Sequence, residues 1–220
     1  MKSQIFPIAI AASVLLAAPA CANVVTLTFE GVGNLASVND FYNGGTDSAG
    51  HSGPNYGINF SSNSLGLIDS SAGGSGNTGN DPSGVTNLVF LDGSAATMNV
   101  AAGFDTGFSF YYAANFSASV VVYSGLNATG SILATLTLDP TPNAYYQWFP
   151  IGVSFAGMAH SVDFGGSADY VTFDNITLGA AVPGDGSVPE PATWAMMAGG
   201  FGAAGAALRR QRRRVKADFA

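Results

Sequence analysis

Ser119-Val-Val-Val-Tyr-Ser-Gly-Leu-Asn-Ala-Thr-Gly-Ser-Ile-Leu-Ala-Thr-Leu-Thr-Leu138 decides the fold of this chain. It holds two β-prone runs, Ala118–Tyr123 and Ile132–Leu138, in which apolar residues partly alternate with polar or small ones at period two. That is the pattern of antiparallel strands with one buried face. Between them, Ser124–Gly130 supplies the glycines and the asparagine that a hairpin turn needs. Working outward, similar runs occur before it at Val24–Phe29, Ile58–Phe60, Leu65–Ile68, Val85–Leu91, Thr97–Val100 and Gly107–Tyr112. They continue after it at Trp148–Phe155, Ser161–Phe164 and Tyr170–Leu178. Clusters of Gly, Asn, Asp and Ser separate them, and no stretch has a convincing helical period. Evenly spaced strands without helices predict an all-β fold, an antiparallel β-sandwich, and residues 23–179 are enough chain for one such domain with its own core.

Two segments do not fit compact strands. Asn34–Gly57 and Ser70–Gly84 are rich in Gly, Ser, Asn and Asp and are expected to be long loops, which in a compact domain are commonly functional or disordered. The first carries Asn39, Asp40, Phe41, Tyr42, Asn43, Asp47, His51, Asn55 and Tyr56, a mixture of aromatics, carboxylates and amides suited to stacking on sugar rings and bonding their hydroxyls. Tyr42 and Tyr56 are the candidate ligand-binding residues; the alternative is that they pin the loop to the sandwich.

Charge is confined to the ends. The formal net charge is −7, and every Lys and Arg is either Lys2 or one of Arg209, Arg210, Arg212, Arg213, Arg214 and Lys216. The region between has acids offset only by His51 and His160, a composition that repels nucleic acid and anionic lipid and suits divalent cations and neutral sugars. It also simply keeps an exported domain soluble. There is no His-Glu-x-x-His, no Gly-x-Ser-x-Gly and no phosphate-binding glycine loop, so no residue is assigned a catalytic role.

The termini read as targeting signals. Lys2, the apolar run Ile5–Ala18 and Ala20-Cys21-Ala22 make residues 1–22 a secretory signal peptide, cut by signal peptidase after Ala22 with Ala20 and Ala22 as the small residues it requires. A lipoprotein site at Cys21 lacks the large aliphatic residue expected three positions earlier. Cleavage leaves a mature chain without cysteine, hence without disulfides. At the other end, residues 180–188 form a linker, and the small and apolar residues from Ala192 to Leu208 span roughly 25 Å as a helix, enough for a single transmembrane crossing. Trp194 stands where an interfacial anchor belongs. Arg209, Arg210, Arg212, Arg213 and Arg214 form a cytoplasmic stop cluster, leaving 215–220 as a cytoplasmic tail and the body of the chain outside.

Residues 189–214, with Pro189-Glu190-Pro191-Ala192, Trp194-Ala-Met-Met197, Gly200-Phe-Gly202 and the arginines, resemble the PEP-CTERM sorting signals of Gram-negative bacteria, in the sphingomonad-like variant. The resemblance implies an exosortase as partner, with Pro189, Glu190, Pro191 and Trp194 as recognition residues, a transient inner-membrane anchor, and delivery to the cell surface or extracellular matrix. The body, through Leu27-Thr-Phe-Glu30, Val120–Gly130 and Val171-Thr-Phe-Asp-Asn-Ile-Thr-Leu178, is similar to the exported jelly-roll domains of such proteins. In the related carbohydrate-binding jelly rolls an acid ending the first strand and an Asp in the last often share a structural calcium. That likeness implies Glu30 and Asp174 as a possible pair, needing further oxygens from residues such as Asp47 or Asn175. The expected function is a non-catalytic surface or matrix protein associating with exopolysaccharide; the alternative is an exported polysaccharide-active enzyme, a glycoside hydrolase or lyase.

Overall fold

The structure, a computed structural model, describes residues 24–165 and 168–184. Each run picked out by its pattern becomes a strand: β1 (Val25–Leu27), β2 (Ile58–Phe60), β3 (Leu65–Ile68), β4 (Thr86–Val89), β5 (Ala95–Phe104), β6 (Gly107–Ala114), β7 (Ala118–Tyr123), β8 (Ile132–Leu138), β9 (Phe149–Ser154), β10 (Ala159–Gly165) and β11 (Val171–Leu178). The main difference is β5, which runs well beyond Thr97–Val100 at both ends. The expected hairpin joins β7 to β8, closed by Ser124 N–H to Ser131 O at 2.9 Å and Gly125 N–H to Thr129 O at 2.9 Å. At its tip Asn127 and Ala128 take φ of 54° and 55°, the left-handed values such a turn demands.

The strands pair antiparallel into two sheets, one ordered β3-β4-β11-β6-β9 with β1 also on β11, the other β2-β5-β10-β7-β8. Strand β6 flanks β11 along its length, from Val171↔Ala114 to Leu178↔Phe108. The other edge of β11 is shared: β4 meets it at Phe173↔Leu88 and β1 at Leu27↔Ile176 through Val25↔Leu178. The two sheets close on one apolar core, in which Phe164 of β10 meets Phe173, Phe108 and Phe110 of the facing sheet at ring-centroid distances of 5.0, 6.2 and 6.3 Å. The architecture is therefore a sandwich, and the edge-to-face contacts favour its aromatic filling over a purely aliphatic one.

The outer faces differ, and the period-two pattern did not foretell it. In the five-stranded sheet, β8 alternates towards solvent as a half-buried strand should. In the six-stranded sheet, β4, β6 and β11 are buried along nearly their whole length. Their outward residues, among them Asn87, Ser109, Thr172, Asp174 and Thr177, are small or polar yet inaccessible. Segments from the loops cover them: Ser83 bonds Asp174, and Ser109 Oγ donates to Ala180 O at 2.9 Å. Gly184 N–H reaches Thr177 Oγ1 at 3.0 Å. Polar residues there let the sheet keep a hydrated-looking sequence while Asn87, Ser109, Thr172, Asp174 and Thr177 find protein partners instead of water.

Candidate functional site

Glu30 stands just beyond β1. Phe29 before it is fully buried with φ of 60°, a strained value for an aromatic residue, and its N–H donates to the Tyr42 hydroxyl at 2.7 Å. Glu30 Oε1 accepts the N–H groups of Val85 and Thr86 at 2.9 and 2.8 Å. Gly84 makes this approach possible. Its φ is 55°, and a Cβ there would fall 2.1 Å from the Glu30 carboxyl carbon.

Asp174 lies in β11 at a bulge where the register to β6 slips between Asp174 and Thr177, with Asn175 at φ of 48°. Ser83 straps it from above: Ser83 N–H donates to Asp174 Oδ2 at 2.8 Å and its hydroxyl reaches Oδ1 and Oδ2 at 2.9 and 3.0 Å. Asn175 N–H adds a bond to Oδ1 at 2.6 Å. Burial pushes Asp174 up to about 7 despite these donors, and the neighbouring Asp81 carboxylate adds to the rise. Burial likewise pushes Asp81 up to about 6, against a hydrogen bond from Asn87 and with help from Asp69 and Glu30. A chain of polar groups extends the layer: Thr78 donates to Asp69, Asn87 Nδ2 donates to Thr78 Oγ1 and Asp81 Oδ2 at 3.1 Å each, and Thr172 Oγ1 donates to Asn87 Oδ1 at 2.5 Å.

Glu30 and Asp174 are thus placed on the same segment, 83–86, but as acceptors of its N–H and O–H groups. Among the described residues no three His, Cys, Asp or Glu side chains converge to hold a metal ion. A calcium ion wants six to eight oxygens, and here the Glu30 and Asp174 oxygens already accept from Ser83, Val85, Thr86 and Asn175. Asp47, considered above as a further ligand, lies elsewhere. It is buried and accepts from Gly33, Ala49 and His51 N–H at 2.7, 2.9 and 2.9 Å, with His51 Nδ1 at 2.8 Å. Its burial would raise its pKa, but these bonds outweigh that and hold it at about 2.

The segment 34–57 is not a loose loop. Val38, Phe41 and Tyr42 are buried from it into the core, and Val38 N–H, Tyr56 N–H and Phe60 N–H are bonded to Ser64 O, Tyr42 O and Asn39 O. Tyr42 is therefore corrected from ligand platform to pin. Both its flanks are taken, edge-to-face by Phe29 and by a stacked Tyr56 at 6.1 Å, and burial pushes its phenol far above the ordinary value. Tyr56 stays exposed. Reading the sequence missed Ser83, Asp81, Asp69, Thr78 and Asn87. Only Asn87 leaves a trace, as a polar residue within β4 where a half-buried strand would want an apolar one; the other four lie between β3 and β4.

Pro189, Glu190, Pro191, Trp194, the arginines, the expected membrane helix, and Ala20 and Ala22 fall outside the described residues. Within those described, no helix is long and apolar enough to cross a membrane. In comparison with known families, residues 187–214 match the PEP-CTERM protein-sorting motif. The chain bears a PEP-CTERM sorting signal. Such a signal implies export by a route through the membrane. No curated protein matches this PEP-CTERM chain. Among solved structures it is similar to a glycoside hydrolase family 43 arabinoxylan arabinofuranohydrolase from Bacillus subtilis in complex with cellotetraose. That likeness has 16% identity and a TM-score of 0.39, covering 61% of this chain and 30% of that one. It is similar also to a family 6 carbohydrate-binding module, at 22% identity and TM-score 0.36 over 56% of this chain and 85% of that one. A carbohydrate-binding module from Cellvibrio mixtus lichenase 5A in complex with cellotriose aligns at 11% identity and TM-score 0.35, over 54% and 88%.

Proposed function

We propose that this is a non-catalytic protein of the cell surface or extracellular matrix, handed over by an exosortase after transient anchoring in the inner membrane, and associated there with exopolysaccharide. The sorting motif at residues 187–214 carries the reading. The body of the chain supports it: Lys and Arg are confined to the targeting ends, and the half-buried Asp81 and buried Asp174 are engaged by Asn87 and Ser83. A carboxylate in that position braces the loop. Perturbed acids also mark catalytic sites, so the two roles are separated by experiment.

The test is the intact mass of the protein recovered from native cells and medium, with the exosortase gene present and deleted. Loss of the residues after the Pro-Glu-Pro only when the enzyme is present is the expected result; an unprocessed tail in both strains refutes the route. Incubating the recovered protein with native exopolysaccharide is expected to give co-sedimentation without new reducing ends. Reducing ends that vanish on Asp81→Asn or Asp174→Asn would make it an enzyme.

A further inference from the structure

Away from Tyr42 and Tyr56, the covered outer face of the six-stranded sheet ends in an open cleft of about 380 Å³. Tyr111, Tyr146, Trp148, Asn80, Gln147 and Asn175 line it. We infer that this cleft is the protein's glycan-binding site and that it takes neutral, hydroxyl-rich polysaccharide. The inference rests on the association with exopolysaccharide proposed above, and gives that association a place.

Its aromatic floor is built and held. Tyr111 is the outward residue between the inward Phe110 and Tyr112 of β6. The turn Ala144–Tyr146 sends Tyr145 inward, its hydroxyl donating to Asp169 O at 2.9 Å, and leaves Tyr146 outward and 53% exposed. Three bonds fasten this turn to the facing loop: Gly79 N–H to Tyr145 O at 3.3 Å, Trp148 Nε1–H to Gly79 O at 3.1 Å, and Asn80 Nδ2–H to Tyr146 O at 3.1 Å. One side of the Tyr146 ring lies so close on Gly79 that a Cβ there would sit 2.8 Å from it. The ring is thus fixed from below and open to solvent, the condition in which an exposed aromatic binds without first paying to be ordered.

The polar side of the cleft consists of amides. Asn175 is the informative one: its Oδ1 is buried with no hydrogen-bond partner, so turning that amide towards a ligand hydroxyl breaks no bond and gives the oxygen one. None of these lining side chains is charged, and the body between the targeting ends carries many acids and no Lys or Arg. That field disfavours uronate-rich or sulfated chains and leaves neutral sugars, whose ring faces stack on aromatics and whose hydroxyls meet amides.

The experiment uses protein recovered from native cells, run by affinity electrophoresis through gels containing the native exopolysaccharide, a soluble β-glucan, a galactomannan or polygalacturonate. Wild type is expected to be retarded by the native polymer and by at least one neutral probe, and not by polygalacturonate. Tyr146→Ala and Gly79→Ala, the second of which pushes the ring off its seat, are each expected to weaken retardation roughly tenfold at unchanged Tm, with Tyr56→Ala behaving as wild type. Retention of wild-type binding by Tyr146→Ala and Gly79→Ala overturns the cleft while leaving the association intact. Equal retardation by polygalacturonate overturns the ligand class. Absence of wild-type binding to the native polymer refutes the association itself, and the cleft with it.

Discussion

Lowering the pH from 8 to 5 is expected to stabilise this protein, and Asp174 is the main cause. Its carboxyl rises from 3.8 in the unfolded chain to about 7 in the fold, because burial disfavours the charged form more than Ser83 and Asn175 favour it. The native state therefore holds a proton that the unfolded state has lost between about pH 4 and pH 7, and stability falls as pH climbs through that window. At 1.36 kcal/mol per unit, the whole shift is worth about 4 kcal/mol. About two of its three units lie between pH 5 and pH 7, so the change from pH 8 to 5 is about 3 kcal/mol, or roughly 6–12 °C in Tm for a domain of this size. Asp81, raised to about 6, and Asp163, raised by burial with its Oδ1 unpaired, act with the same sign. Asp47 acts oppositely, but its contribution is lost only as pH falls from about 4 towards 2, below the window. The assay is thermal unfolding at constant ionic strength, for wild type and Asp174→Asn. A Tm that is flat or falls towards pH 5, or an equal rise in Asp174→Asn, refutes the reasoning.

Phe110→Ala is expected to cost about 3–5 kcal/mol in urea unfolding, since this fully buried ring touches Phe108, Tyr112, Phe164 and Phe173 and nothing nearby can fill its place. Gly84→Ala is expected to destabilise by about 1–3 kcal/mol, because it meets both an unfavourable φ and the Glu30 carboxyl; a Tm equal to wild type would show that the strap does not need this close approach. Millimolar calcium is expected to leave Tm unchanged, since Ser83, Val85 and Thr86 already engage Asp174 and Glu30; a rise abolished by Asp174→Asn would establish the calcium pair instead.

What sequence could tell about this molecule follows from what periodicity measures. Alternation in Ala118–Tyr123 and Ile132–Leu138 reports one buried face, and those strands belong to the sheet whose other face is open to solvent. In β4 and β11 the second face is buried as well, but by polar loops, so Asn87, Thr172, Asp174 and Thr177 look like solvent-facing positions until the covering segments are seen. The acids at Glu30 and Asp174 could be singled out because each sits at a marked place in its strand. Their partners could not, because Val85 and Thr86 reach Glu30 through backbone N–H groups, which any residue but proline supplies, and Ser83, which adds a hydroxyl to its N–H, is one of several serines in a polar loop. The same blindness explains Tyr42 and Tyr146. Both are tyrosines in segments rich in amides, and only the backbone decides which turns inward: the 34–57 segment folds Tyr42 under Tyr56, whereas the Ala144–Tyr146 turn spends Tyr145 on the core and so must present Tyr146 to solvent.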